Sequence, residues 1–209
     1  MKLALLTSPD QWYCDYAAEL SKKLGGIPIY NHHSEIEDSY DVLFILSYHN
    51  KIDEKSLKKN SYNLVIHESD LPQGKGWAPL FWQILEGRDE IIVSLIEASN
   101  EIDSGLVYIK KTLKLNGYEL NNELRKKQAE ITMDMCLEFV HNFNTIKAKP
   151  QDGEESFYHK RNAEHSRLDI TKSIKEQFNL LRIVDNENYP AFFDIDGRRY
   201  LLKIEEVKD

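Results

Sequence analysis

Short apolar runs alternate with amphipathic stretches along the first two thirds of the chain. Lys2–Leu6 predicts a strand, and Ser8, Pro9 and Asp10 predict the turn and cap that follow it. Tyr13–Leu24 then carries apolar residues at helical spacing and stops at Gly25-Gly26. Ile27–Tyr30 predicts a second short strand. Val42–Leu46 is apolar throughout, as expected of a strand covered on both faces of a parallel sheet, and Leu64–Ile66 is another such run. Pro79 opens a short helix, Leu80–Leu85, ended by Gly87. Ile91–Ile96 and Leu106–Ile109 predict further strands. From Leu120 to Phe143 the apolar residues Leu120, Leu124, Ile131, Met135, Phe139 and Phe143 mostly step by four, which predicts a long amphipathic helix. Strands alternating with helices point to an open α/β sheet.

The pattern changes near residue 148. Lys147–Pro150 and the polar residues 151–155 form a linker candidate. Beyond it, Ile170–Val184 predicts a helix capped by Asp169 or Thr171. Phe192–Ile195 and Tyr200–Ile204 flank Asp196-Gly197, a strong hairpin signal. The expected organisation is an α/β domain over 1–148 and a small α+β extension over 149–209.

Composition narrows the function classes. The chain has 209 residues, 41% hydrophobic, so it can bury a sizeable core. Its net charge of −8 argues against a phosphate backbone as main partner. No apolar run approaches membrane-spanning length, and Met1–Leu6 does not read as a signal peptide. Cys14 and Cys136 are too far apart for a zinc or redox motif, and a cytoplasmic location is expected. His32-His33 with Glu35, and His49, do not have the spacing of a metal site, and no metal is expected.

Three segments carry candidate chemistry. His67-Glu68-Ser69-Asp70-Leu71-Pro72 follows a buried strand, Gly74-Lys75-Gly76-Trp77-Ala78-Pro79 opens a helix, and Asp103-Ser104-Gly105 joins two strands. Ligands of open parallel sheets bind beyond the carboxyl ends of the strands, so His67 and Asp103 are expected to face one cleft. A histidine titrating near neutrality beside an orienting carboxylate suits proton transfer.

Residues 65–105 resemble the core of the N10-formyltetrahydrofolate-dependent formyltransferases. That family's pattern is Asn-x-His-x-Ser-x-Leu-Pro, then Gly-x-x-Pro, a Trp-containing helix and Asp-x-Gly. His67, Ser69, Leu71, Pro72, Gly76, Pro79, Trp82, Gly87, Asp103 and Gly105 fall on it. Phe157–Asp169 and Phe178–Phe193 resemble the tails of sugar-nucleotide N-formyltransferases. The resemblance implies an abbreviated Rossmann-like formyltransferase core and a folate co-substrate, N10-formyltetrahydrofolate. It implies His67 and Asp103 as the catalytic pair. Leu46, Ser47 and Tyr48, with Ser99, Asn100 and Ile102, would line the folate site. The family's Asn, two residues before the His, is Val65 here. Asn63 lies about 13 Å from His67 along an extended strand at about 3.3 Å per residue. Asn50 is the better replacement donor, and a backbone N–H is the other option.

The acceptor follows from charge and resemblance together. From Gln151 to Asp209 there are 10 Lys/Arg against 13 Asp/Glu, a net −3 that does not suit tRNA. A nucleotide-linked 4-amino-4,6-dideoxy sugar, of the kind used in pseudaminic-acid pathways and preferably UDP-linked, fits better. Ser69, Gly76, Trp77, Arg182 and Tyr189 are the expected substrate contacts, Arg182 for its fit to a diphosphate. The alternatives are another amine (methionyl-tRNA or a carrier-bound amino acid), a non-catalytic folate- or nucleotide-binding module, and a hydrolase releasing formate. No nucleic acid or membrane partner is expected, and the tail could pair across a homodimer.

Overall fold

The computed structural model describes residues 1–9 and 11–207, so Asp10 of the expected turn and the last two residues of the expected extension lie outside it. The chain runs β1 (Leu3–Leu6), α1 (Cys14–Lys23), β2 (Ile29–Tyr30), β3 (Val42–Ile45), α2 (Glu54–Leu57) and β4 (Tyr62–His67). It continues with β5 (Lys75–Gly76), α3 (Pro79–Leu85), β6 (Glu90–Glu97), β7 (Val107–Lys114) and α4 (Asn121–His141). The remainder holds β8 (Phe157–Tyr158), α5 (Phe178–Ile183), β9 (Ala191–Ile195) and β10 (Arg198–Leu202). Among the described residues, no helix is long and apolar enough to cross a membrane.

Six strands form the central sheet in the order β2-β1-β3-β4-β6-β7. The first four are parallel, whereas β6 runs antiparallel to β4 and β7 antiparallel to β6. Strand alternation splits the apolar residues between two faces. Leu3, Leu5, Val42, Phe44 and Leu64 enter the larger core with Leu80, Ile84, Leu124 and Phe139, beneath α1, α3 and α4. Ala4, Leu6, Leu43 and Ile45 enter a second cluster with Ile36 and Tyr40. Both faces are therefore covered, which explains the unbroken apolar runs of β1 and β3.

The segment expected to be a linker is tied down. Lys149 bridges to Val107, Gln151 reaches the carbonyls of Asp103 and Gly105, and the Ser156 N–H donates to Pro72 O. The expected helix over Ile170–Val184 shortens to a 3₁₀ turn at Lys175–Gln177 followed by α5. Asp169 does not cap it. Its carboxylate accepts from the Thr171 N–H and hydroxyl, and its own N–H donates to Gln177 Oε1, which closes a local turn instead. The expected hairpin forms, with Asp196 (φ 49°) and Gly197 (φ 75°) both in the left-handed region that a tight two-residue turn requires.

One buried ion pair joins the tail to the core. Arg182 Nη2 lies 3.1 Å from Glu119 Oε2, with both side chains almost fully buried, and its Nε donates to the Glu119 carbonyl. Burial alone would raise the Glu119 carboxyl, but Lys127 and the Asn116 N–H hold it below the ordinary glutamate value. Glu119→Gln leaves a buried guanidinium without its charge partner and is expected to cost about 3–5 kcal/mol at neutral pH. Because the folded carboxyl is depressed, the wild-type contribution is present above the ordinary glutamate range and lost as pH falls through the depressed value. Urea denaturation from pH 7 to 3 should show the wild type losing this increment in acid, with the variant's curve flatter. Gly105 supplies a second test: a Cβ built there meets Glu97 O at 1.7 Å. Gly105→Ala should lower stability by about 2 kcal/mol or more, read as a drop in Tm.

Candidate active site

His67 ends β4 on the same face as Asn63 and Val65, opposite Ser94 of β6. Ser94 Oγ donates to Ser69 O at 2.7 Å and pins the turn that follows His67. The His67 ring is buried at 5% exposure, with Nε2 2.8 Å from Gly74 O. A carbonyl only accepts, so Nε2 carries a proton and Nδ1 is the nitrogen left to exchange one. Nδ1 lies 3.6 Å from Asp103 Oδ1. That exceeds a direct hydrogen bond, but one further polar atom can sit within hydrogen-bond distance of both.

Asp103 does not arrive by the expected route. Because β6 is antiparallel, its carboxyl end lies beside the start of β4, with Glu97 opposite Leu64 and the Ala98 N–H donating to Asn63 O. The 98–106 loop brings Asp103 back to His67. Asp103 sits at φ 52°, a left-handed conformation that Asp tolerates better than most residues. Its Oδ2 accepts from the Gly76 N–H at 2.8 Å, and its carbonyl accepts from Gln151 Nε2 at 2.7 Å. Lys75, only 1% exposed, donates to Ser104 Oγ (2.8 Å) and Glu155 Oε1 (2.5 Å). Lys75, Gln151 and Glu155 thus support the loop without having stood out in the sequence. Only the Gly-Lys-Gly spelling hinted at the first, since long-range tethers leave no spacing signal.

The other expected site residues fall in several places. Gly76 is at the pair, and a Cβ there would meet Tyr158 O at 2.4 Å, so glycine is required by the β5–β8 approach. Trp77 is 42% exposed, its ring 6.0 Å from His49 and 4.7 Å from Lys160 Nζ. Ser69 is buried beneath Gly74 with an unpartnered hydroxyl, which makes it part of the turn rather than an open contact. Leu46 is in the larger core, and Ser47 has φ 52°. Tyr48, Val65 and Ala98 pack on the second cluster, which puts the β3 loop and the start of the 98–106 loop on one side of the sheet. Tyr48 Oη is 2.6 Å from His33 Nδ1. Ser99 and Asn100 line a shallow depression with Lys58, Asn60 and Asn63, at the far end of β4 from His67. Ile102 is 69% exposed at the loop surface.

One expectation changes, and the setting aside of Asn63 is consistent with its bonding. Arg182 is enclosed against Glu119 and offers no open guanidinium to a diphosphate. Asn63 accepts from Asn60 Nδ2 and donates to Leu57 O, so it is committed away from His67. Tyr189 is exposed, its N–H bonded to Asp185 O in a turn before β9. Asn50 is exposed in the β3 loop, next to the His49 that faces Trp77.

The parallel-dominated sheet with its antiparallel edge matches the fold of solved formyltransferases. The structure of a methionyl-tRNA formyltransferase from Clostridium thermocellum superimposes on all of this chain and 94% of that one, with a TM-score of 0.84 at 20% identity. HypX from Aquifex aeolicus, solved with tetrahydrofolic acid, matches 98% of this chain and 37% of its own, with a TM-score of 0.81 at 22% identity. A 4-N formyltransferase from Francisella tularensis covers 100% of this chain and 99% of its own, with a TM-score of 0.75 at 14% identity. In sequence, the methionyl-tRNA formyltransferase of Francisella philomiragia is 28% identical over 137 residues, 65% of this chain and 44% of that protein. The chain spans about half the length of the curated relatives it matches. No family model matches the chain.

Gln151→Ala removes two hydrogen bonds that hold the 98–106 loop, each worth about 1 kcal/mol net. Amide hydrogen exchange should rise several-fold across 98–106 while the strands keep their protection.

Proposed function

We propose that the protein is an N-formyltransferase that moves the formyl group of N10-formyltetrahydrofolate to the amine of a nucleotide-linked amino sugar. The observation that carries this reading is the His67–Asp103 pair, 3.6 Å apart with His67 buried and Asp103 half-buried, within a formyltransferase fold. The amine attacks the formyl carbon, an oxyanion forms, and the tetrahedral intermediate collapses with tetrahydrofolate leaving. The amine must lose a proton on the way. His67 Nδ1 accepts it, because Nε2 is held by Gly74 O, Asp103 stabilises the imidazolium that results, and the proton then passes to N10 as the formyl carbon–N10 bond breaks and tetrahydrofolate leaves.

The side of the sheet shared by Tyr48, Val65 and Ala98 is the proposed pterin site, with backbone groups of Ser47 and of the 98–106 loop as hydrogen-bond partners. Tetrahydrofolic acid bound to HypX, a protein of like fold, supports that co-substrate. Val65 replaces the family's Asn with an apolar side chain packed near Leu71, Ile96 and Val107. The oxyanion donor therefore comes from elsewhere, with Asn50 or a backbone N–H the available groups.

An amino-sugar acceptor is supported by the full-length match to the 4-N formyltransferase and by the acidic tail. Methionyl-tRNA is the second reading, favoured by the curated relatives and by the Clostridium thermocellum structure. Incubation with N10-formyltetrahydrofolate and a panel of UDP- and dTDP-linked 4-amino sugars, in parallel with methionyl-tRNA, separates the two by which product carries formyl. His67→Asn and Asp103→Asn should each lower turnover by about 10²–10⁴-fold while 5-formyltetrahydrofolate still binds. Full turnover in both variants would overturn the mechanism.

A further inference from the structure

The chain is acidic, and most of its arginines are paired. Arg88, Arg167, Arg182 and Arg199 all lie against carboxylates. Arg125 and Arg161 are partly buried and have no ion pair among the described residues, although burying a guanidinium without a counter-ion is unfavourable. Burial pushes Arg125 down to about 10, with Glu68 and Asp185 acting the other way, and lowers Arg161 as well.

The geometry around them is organised. The Arg125 guanidinium is held between the Trp12 ring (4.5 Å) and the Phe81 ring (4.4 Å). Its one hydrogen bond among the described residues runs from Nη1 to Gln128 Oε1, and Gln128 in turn donates to Glu68, the residue after His67. The aromatic faces fix the plane of the group and leave its remaining N–H edges uncommitted. Arg161 bonds His165 O through Nη2, while its Nε is buried without a partner. Beside it, Lys160 lies over Trp77, whose ring also faces His49. The His159 carbonyl accepts from Trp82 Nε1, which fixes this stretch against α3.

We propose that Arg125, Arg161 and Lys160 form a subsite for the diphosphate of a nucleoside-diphosphate acceptor, with the exposed Trp77 ring available to its base. This deepens the formyltransferase reading and rests on it for the word acceptor, but the subsite itself is a binding statement. A diphosphate supplies the close ion partner that neither arginine has among the described residues, Glu68 and Asp185 acting on Arg125 only at longer range, and a guanidinium fork matches its paired oxygens. It also moves the role expected of Arg182 to guanidinium groups that, unlike Arg182, have no carboxylate in ion-pair contact among the described residues.

Calorimetric titration with UDP and with inorganic pyrophosphate tests it, alongside 5-formyltetrahydrofolate as an independent ligand. The wild type should bind UDP, with pyrophosphate competing. Arg125→Gln and Arg161→Gln should each weaken UDP at least tenfold, and the surface change Lys160→Gln several-fold, with 5-formyltetrahydrofolate affinity unchanged. Lys160→Gln guards against loss of fold in the arginine variants, because Lys160 is exposed and lies over the half-exposed Trp77 ring near His49. No UDP binding by the wild type, or unaltered binding in all three variants, overturns the subsite while leaving folate binding to be judged on its own. Loss of folate binding with UDP retained would instead count against the formyltransferase reading. An RNA hairpin ending in CCA that displaces UDP at lower concentration than pyrophosphate does would overturn the nucleoside-diphosphate assignment in favour of nucleic acid.

Discussion

The site depends on one constraint, the return of the 98–106 loop across the sheet. The antiparallel direction of β6 delivers the chain to the end of β4 remote from His67, so strand direction alone would keep Asp103 away. The return requires backbone to pass Glu97 O closer than any side chain allows, which Gly105 permits. It then needs anchors, and these are the Gly76 N–H, Gln151 and the buried Lys75. The same neighbourhood sets the histidine, since Gly74 O holds Nε2 and leaves Nδ1 towards Asp103. Residues from 67 to 155 therefore cooperate to hold one imidazole and one carboxylate.

Charge is distributed with a similar division of labour. On the outer surface several Lys and Arg are paired at short separations in sequence, as in Lys58 with Glu54 and Arg167 with Glu164, where each exposed pair is worth less than about 1 kcal/mol. Inside, the Arg182–Glu119 pair joins α5 to the start of α4. Arg125 and Lys160, by contrast, lie over aromatic rings without a carboxylate in ion-pair contact among the described residues. An acidic chain can thus present a local anion-attracting surface without a basic overall composition.

Much of the fold was legible in the order of residues. Unbroken apolar runs marked β1 and β3, Pro79 and Gly87 bracketed α3, and Asp196-Gly197 marked the β9–β10 turn. The expectation of a long helix over 170–184 was too generous. Ile170 and Ile174 recur at helical spacing but remain exposed, at 61% and 57%, because Asp169 closes a turn there and the tail's small core is built on Leu168, Leu181, Val184 and Ala191. Periodicity reports which residues could share a face, not whether a core exists to receive it.

Local pattern therefore sets the elements and the residue types able to move a proton, because period, turn chemistry and titration range are properties of short segments. Strand direction, the fold-back of Asp103 and the sorting of the arginines are different in kind. Arg182 and Arg125 are both arginines on amphipathic helices, yet one meets Glu119 and the other two aromatic rings. That outcome depends on partners 63 residues away for Arg182 and on Trp12 and Phe81 for Arg125, and no local spacing encodes such encounters. Packing in three dimensions decides them, since the charge of a side chain gains its meaning from what surrounds it once water has been excluded.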